Sequence, residues 1–185
     1  MKISPRNYNQ LAAATLLMSA LSVVANAEQP NWVSPKIKQA PVVDLPQTGP
    51  HLQASETYRV VMDVTKAGGA DKLLPGLIKA GRILNLAKLD KLPDEQIKIV
   101  LLIRSKAASR LLNHQQYREA YQQDNPNIEL INALHREGVI ISVCGQALAG
   151  QGIDPRQLAT HVDIAPSALT STMYYQQQGY ISLSD

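Results

Sequence analysis

Residues 97–103 read IKIVLLI, a run in which Lys98 is the one polar side chain. A run that is apolar at nearly every position is typical of a strand buried on both faces, as in a parallel sheet. Two other runs have the same character, YRVVMDV at residues 58–64 and VIISV at residues 139–143. The three runs therefore predict the central strands of one parallel sheet.

Segments with helical signals separate these runs. Residues 72–89 place leucine and isoleucine at close to helical spacing, with Pro75 at an early position that tolerates proline. We also expect helices over 111–121, 127–137 and 166–178, a short helix that starts at Ala147, and short strands over 162–165 and 179–183. Strands that alternate with helices predict an α/β fold with three layers, α/β/α, around a mainly parallel five-stranded sheet.

Folds of this class bind ligands beyond the carboxyl ends of their strands. This rule selects four short segments before any chemistry is considered, namely 63–66, 104–107, 144–146 and 166–167. The single cysteine of the chain, Cys144, lies in one of them. We therefore place the candidate site at this edge of the predicted sheet.

Cys144 ends the third apolar run and is followed by Gly145 and the start of a helix. Backbone N–H groups at a helix N-terminus stabilise a thiolate, and Gly145 permits a close approach to the sulfur atom. We expect Gly145 and Gln146 to present hydrogen-bond donors to Cys144. The alternative is that Cys144 is a small buried apolar residue, a common state of a free cysteine.

Polar residues at two other strand ends are candidate binding residues. Asp63 is an acid within a run of valine and methionine, close to the end of its strand. Arg104 and Ser105, followed by Lys106, come directly after the second strand and are suited to hold an anion such as a sulfur oxyacid. The alternatives are a local cap for Asp63 and a solvated loop for the three residues after Ile103.

The first 27 residues predict a secretory signal peptide. Lys2 and Arg6 precede an apolar run over 11–25, which ends in the small-residue pattern Ala25-Asn26-Ala27. The run is short for a membrane span, so we expect cleavage after Ala27, a periplasmic location and no stable membrane insertion. An uncleaved membrane anchor is the alternative.

Residues 28–56 differ in composition from the rest, because five prolines are scattered among few large apolar residues. Such prolines disfavour regular helix or sheet, so we interpret this segment as an extended arm or linker before a domain at 57–185. It is either a disordered tail or an arm that lies on a neighbouring subunit, with Trp32 as its anchor.

Charge and motifs argue against several classes of function. Without residues 1–27 the chain has 16 basic and 15 acidic residues, a net charge of +1, which is not the pattern of a nucleic-acid binder. We find no glycine-rich nucleotide motif and no serine-hydrolase elbow. The four histidines and one cysteine match no zinc spacing. The sequence therefore predicts no cofactor and no structural metal.

The order of these segments resembles the DsrE/DsrF-like sulfur-relay family, in its exported single-domain branch. The resemblance covers residues 57–183 and is most specific in NPNIELINALHREGVIISVCGQALAGQGI, at residues 125–153. The other matching segments are YRVVMDVT, LNLAKL, IKIVLLI and SALTSTMYYQQQGYISL. Relatives often have a His-Gly or similar pair after the second strand, where this chain has Arg104-Ser105-Lys106-Ala107.

This resemblance implies a compact α/β domain that forms homo-oligomers, as trimers or hexamers. It also implies a cysteine that accepts and passes sulfur as a persulfide, and Cys144 occupies the position where exported members place a cysteine. The partner would be a sulfur-carrying protein or a small sulfur compound.

Two main functions remain open from the sequence, beside a third in which the proline-rich arm of an assembly protein recruits a partner. The first is a periplasmic sulfur-handling or thiol-redox protein, with Cys144 as nucleophile or persulfide carrier and with Asp63 and Arg104 lining the pocket. The second is a non-catalytic oligomeric module that binds a small ligand, with Cys144 as a packing residue. The reactivity of the thiol distinguishes the two.

Overall fold

The computed structural model describes residues 30–185 of the chain. The predicted signal peptide at residues 1–27 lies outside this part of the chain. Within residues 30–185, every helix is too short or too polar to cross a bilayer.

A sheet of five parallel strands forms the centre of the fold. The strands are β1 (Tyr58–Val64), β2 (Ile97–Ile103), β3 (Ile140–Cys144), β4 (Asp163–Ala165) and β5 (Ile181–Ser184). Their order across the sheet is β4-β3-β2-β1-β5, and every neighbouring pair is parallel. The three apolar runs are therefore the three central strands, and the predicted fold class is confirmed.

Helices cover both faces of this sheet. They are α1 (Pro75–Leu89), α2 (His114–Tyr121), α3 (Ile128–Arg136), α4 (Gly145–Gln151) and α5 (Ala168–Gln177). On one face, Leu77 of α1 and Leu130 of α3 join Met62 of β1 in the larger apolar core. On the other face, Ala168 of α5 packs with Cys144 in a smaller cluster. The sheet thus lies between two helical layers.

Some helix boundaries differ from those predicted. The helix predicted over 111–121 begins only at His114, because a 3-10 turn at Ser105–Leu111 precedes it. The helix predicted to start at Ala147 begins at Gly145, directly after β3. Cys144 therefore occupies the N-cap position of α4.

The proline-rich segment packs against α1 of the same chain over residues 30–56. Ile37 and Ala40 are buried within the larger core, and the short extended segments at 32–33 and 42–43 pair with each other. Trp32, the expected anchor, is 59% exposed. These contacts place Ile37 and Ala40 in the domain core, whereas the interpretation as a linker or disordered tail did not include them.

Asn85 of α1 holds this segment through four hydrogen bonds. Its Oδ1 accepts from the backbone N–H groups of Lys36 at 2.8 Å and Ile37 at 2.9 Å. Its Nδ2 donates to the carbonyl oxygens of Ile37 at 2.9 Å and Ala40 at 2.7 Å. The side chain is fully buried, so its hydrogen-bonding capacity is used inside the protein.

A second polar contact closes the segment onto the end of α1. His51 Nδ1 and Asp90 Oδ1 lie 2.6 Å apart, and Leu52 N donates to Asp90 Oδ2 at 2.8 Å. The hydrogen bond to Asp90 raises the pKa of His51 above its ordinary value, and the charge of Asp44 adds to this effect. The protonated imidazole is therefore the form that this contact favours.

We expect the NMR titration midpoint of His51 to fall when Asp90 is replaced by asparagine. Because the pKa of His51 is raised in the folded protein, the contact stabilises fully below about pH 6.5 and loses this effect as the pH rises through the raised value. Asp71→Asn, which removes a distant carboxylate, should leave the midpoint of His51 where it is. An equal midpoint in wild type and Asp90→Asn would contradict the contact.

Candidate functional site

The carboxyl ends of the central strands bring three of the predicted site residues to one edge of the sheet. Asp63 lies opposite Leu102 in the register of β1 and β2, and Leu102 shares a cluster with Cys144 on the face that α5 covers. Arg104 follows β2, between the ends of β1 and β3. The structure therefore places Asp63, Arg104 and Cys144 at the same edge.

Cys144 accepts a hydrogen bond from the start of α5. Its Sγ atom lies 3.3 Å from Ala168 N, the first residue of that helix. α5 has ten residues, so its N-terminus carries the partial positive charge that favours a thiolate. The sequence predicted this role for the helix that follows Cys144, but the Cys144 side chain makes no capping hydrogen bond to α4.

Gly145 and Gln146 support this arrangement indirectly. Gln146 Nε2 donates to Pro166 O at 3.3 Å, whereas the sequence predicted that this side chain donates to Cys144. A Cβ atom at Gly145 would lie 3.2 Å from Ala165 O, which is tighter than most such contacts. Both residues allow the chain between β4 and α5 to lie close to Cys144.

Arg104 and Asp63 form a bidentate ion pair at the end of β1. Arg104 Nε lies 2.7 Å from Asp63 Oδ1, and Arg104 Nη2 lies 2.6 Å from Asp63 Oδ2. The hydrogen bond to Asp63 raises the pKa of Arg104, and the negative charges of Asp63 and Asp185 contribute further. Asp63 is thus neither a helix cap nor a turn cap. Arg104 is an ordered charge near the thiol.

Ser105 turns the chain directly after Arg104. Its backbone is left-handed, with φ of 53°, which is uncommon for a residue other than glycine. Its carbonyl accepts from Gln151 Nε2 at 2.8 Å, and its Oγ lies 3.4 Å from Arg104 Nη1. Because that last distance is long for a hydrogen bond, Nη1 retains capacity to bind an anionic ligand.

A groove of about 410 Å³ lies beside Asp63, between α5 and strands β1 and β5. Besides Asp63, its lining consists of uncharged side chains, namely Val61, Leu169, Thr172, Gln176, Ser182, Leu183 and Ser184. Gln176 Nε2 donates to Ser182 Oγ at 2.8 Å across this groove. The groove is a space for a small ligand next to the ion pair.

The two asparagines of the NPN segment serve packing. Asn125 Nδ2 donates to Leu112 O at 2.6 Å, and Asn127 Oδ1 accepts from Leu74 N at 2.7 Å. Both side chains are buried, and Asn125 Oδ1 also accepts from Asn127 Nδ2. The most specific part of the sequence resemblance therefore ties the loop before α1 to the loop after β2.

Sequence reasoning missed Ala168 and Asp185 as residues of this edge. Ser167 caps α5, because its Oγ accepts from Leu169 N at 3.2 Å. A serine directly after Pro166 is a helix-start signal, and it could have indicated Ala168 as the first residue of the helix. Asp185 contacts Thr65, 120 residues earlier in the chain, and no local pattern indicates that contact. Across residues 30–185, no group of three or more His, Cys, Asp or Glu side chains is placed to hold a metal ion.

Comparisons with known proteins support the fold. A family model described as the DsrE/DsrF-like family matches residues 42–184. A solved structure of a protein of unknown function from Methanobacterium thermoautotrophicum is similar, with a TM-score of 0.53 and 21% identity, over 69% of this chain and 99% of that chain. At this identity the likeness shows the fold alone. No curated protein matches the chain.

Proposed function

This chain belongs to the DsrE/DsrF-like family, and from that premise we propose that it is a sulfur-handling or thiol-redox protein with Cys144 as the persulfide carrier. The observation that carries the proposal is the hydrogen bond from Ala168 N, at the N-terminus of α5, to Cys144 Sγ. A donor and a helix dipole at this position favour the nucleophilic thiolate. The Arg104 guanidinium, oriented by its bidentate pair with Asp63, lies at the same end of the sheet.

Sulfur transfer at Cys144 needs no additional oxidant. The thiolate attacks the outer sulfur of a donor persulfide, and the sulfur–sulfur bond of the donor breaks. The donor leaves as a thiolate with the electron pair, and Cys144 becomes the persulfide. Attack by an acceptor thiolate on the outer sulfur then returns Cys144 to the thiolate. The donor and acceptor are a small sulfur compound or a sulfur-carrying protein.

Reaction requires that the thiol become accessible, since Cys144 is 6% exposed. Ala168 covers it, whereas the next residue, Leu169, is 73% exposed and lines the groove beside Asp63. We expect the exposed Leu169 side chain to move aside, so that a donor reaches the thiol from this groove while Ala168 N stays bonded to Sγ.

We further propose that the mature protein is a periplasmic homo-oligomer, a trimer or hexamer, produced by cleavage after Ala27. The pattern of residues 1–27 supports export. Leu169 and Met173 of α5 and Ile181 of β5 are 73%, 62% and 57% exposed, and residues 166–184 contain no charged side chain. Exposed large apolar side chains without charge are typical of subunit interfaces.

Intact-mass analysis of the mature protein after treatment with a polysulfide donor tests the role of Cys144. We expect wild type to gain sulfur and Cys144→Ser to lose this gain completely, because the thiolate is the acceptor. Ser142→Ala is the matched control, since Ser142 lies on the same strand with the same 6% exposure. A gain of sulfur by Cys144→Ser equal to that of wild type would contradict the proposal.

The burial of Cys144 favours a second candidate, a non-catalytic oligomeric module that binds a small ligand in the groove beside Asp63. In that case iodoacetamide should label Cys144 only after denaturant is added. Cys144→Ser would then alter the free energy of unfolding without affecting ligand retention, and Arg104→Gln would weaken retention.

A further inference from the structure

The carboxylate of Asp185 lies among hydrogen-bond donors that follow β1. Asp185 Oδ2 accepts from the backbone N–H groups of Lys66 at 2.8 Å and Thr65 at 3.1 Å. Asp185 Oδ1 accepts from Thr65 Oγ1 at 3.2 Å. Two successive backbone N–H groups that converge on one anionic group form the kind of concavity in which proteins bind anions.

The pairing of β5 with β1 places Asp185 at the carboxyl ends of the strands, where the candidate site lies. Ser184 of β5 pairs with Asp63 of β1, and Asp185 N donates to Asp63 O at 3.3 Å. The charge of Asp185 also contributes to the raised pKa of Arg104, so the carboxylate and the guanidinium interact across this edge.

The charges around these donors favour an anion. Lys66 Nζ donates to the main-chain oxygen of Asp185 at 2.6 Å, so its ammonium group lies beside the same residue. The negative charge of the neighbouring Asp63 carboxylate is compensated by its bidentate pair with Arg104. An anionic group in place of the Asp185 carboxylate would therefore lie beside the Asp63–Arg104 ion pair and the ammonium group of Lys66.

Displacement of the Asp185 side chain from these donors does not disturb an apolar core. All four residues of the preceding strand β5, Ile181–Ser184, are exposed, and β5 is the outermost strand on its side of the sheet. Segments with few buried contacts open locally at low cost in free energy. The Asp185 side chain is thus free to exchange with a ligand while the rest of the domain stays folded.

We propose that Thr65 and Lys66 form an oxyanion-binding site that the Asp185 carboxylate occupies as an internal competitor. The ligand is an oxyanion with at least two terminal oxygens. One oxygen accepts from the two backbone N–H groups, and the other accepts from the Thr65 hydroxyl. Since Asp185 must leave first, the apparent affinity falls in proportion to the fraction of molecules with an open site. The site does not use Cys144, so it stands independently of sulfur transfer.

Thermal unfolding in sodium sulfate, sodium acetate and sodium chloride tests the proposal with wild type, Asp185→Ala and Asp163→Ala. Asp163 is an exposed carboxylate of β4, so its replacement changes net charge equally without touching these donors. We expect sulfate or acetate to stabilise Asp185→Ala in a saturable way, because a bound ligand stabilises the folded state. Wild type and Asp163→Ala should show only the general, non-saturating effect of the salt.

Amide NMR locates the binding and separates the classes of oxyanion. In Asp185→Ala, the Thr65 and Lys66 amide signals should shift on titration with an affinity roughly tenfold or more tighter than in wild type. A response to acetate alone identifies a carboxylate site, and a response to sulfate alone identifies a site for a tetrahedral oxyanion. If Asp185→Ala does not fold, the same titration is made with Asp185→Asn against Asp163→Asn. If the Thr65 and Lys66 signals of the Asp185 variant respond no more than those of the Asp163 variant, the proposal is overturned. Asp185 would then serve only to hold the end of β5 against β1.

Discussion

Asn85→Ala is expected to lower the free energy of unfolding by about 3 kcal/mol. The substitution leaves the N–H groups of Lys36 and Ile37 and the carbonyl group of Ala40 without a partner, whereas the Ile37 carbonyl still accepts from Ala40 N. Each unsatisfied buried group costs about 1–3 kcal/mol, and local relaxation limits the total. Alanine is the better helix former, but that gain is smaller, at about 0.7 kcal/mol or less. Urea denaturation measures the difference.

Arg82→Ala is the matched control for this prediction. Arg82 lies on the same helix with an exposed side chain, so its replacement should change the free energy of unfolding by about 0.5 kcal/mol or less. We also expect Asn85→Ala to make residues 30–56 more susceptible to limited proteolysis, whereas Arg82→Ala should not. Equal stability of the two variants would show that Asn85 does not hold the segment.

Gly76→Ala is expected to destabilise the protein by about 2 kcal/mol, although alanine is normally favoured over glycine within a helix. A Cβ atom at this position would lie 2.5 Å from Val64 Cγ2 and 2.6 Å from Val64 Cγ1. Val64 is fully buried in β1, and its branched side chain has little rotamer freedom. Relief of the overlap therefore requires α1 and the sheet to separate. Urea denaturation of both proteins provides the measurement.

Two comparisons isolate the cause of this effect. Gly150→Ala, in α4, meets no atom within 4 Å and should leave the protein as stable or more stable. In a Val64→Ala background, the destabilisation by Gly76→Ala should disappear, because the branched side chain that it overlaps is absent. The same loss of stability in both backgrounds would show that the contact with Val64 is not responsible.

Most of the sheet was predictable because its central strands are continuous apolar runs. Burial on both faces requires such runs, so β1 and β2 have the predicted bounds, 58–64 and 97–103. The helix boundaries were less accurate, since the 3-10 turn before His114 has no periodic signal of its own. The proline-rich segment was interpreted as an arm, because prolines indicate irregular backbone but do not indicate what that backbone packs against.

The sequence by itself determined the parallel α/β sheet and the position of Cys144 at a strand end, because both follow from patterns within a few neighbouring residues. Only the tertiary structure decided which groups meet there. The helix that faces Cys144 begins 24 residues later, Asp63 and Arg104 are 41 residues apart, and Asp185 reaches Thr65 across 120 residues. Such contacts depend on strand order and register, which bring distant residues together, and local periodicity carries no information about them.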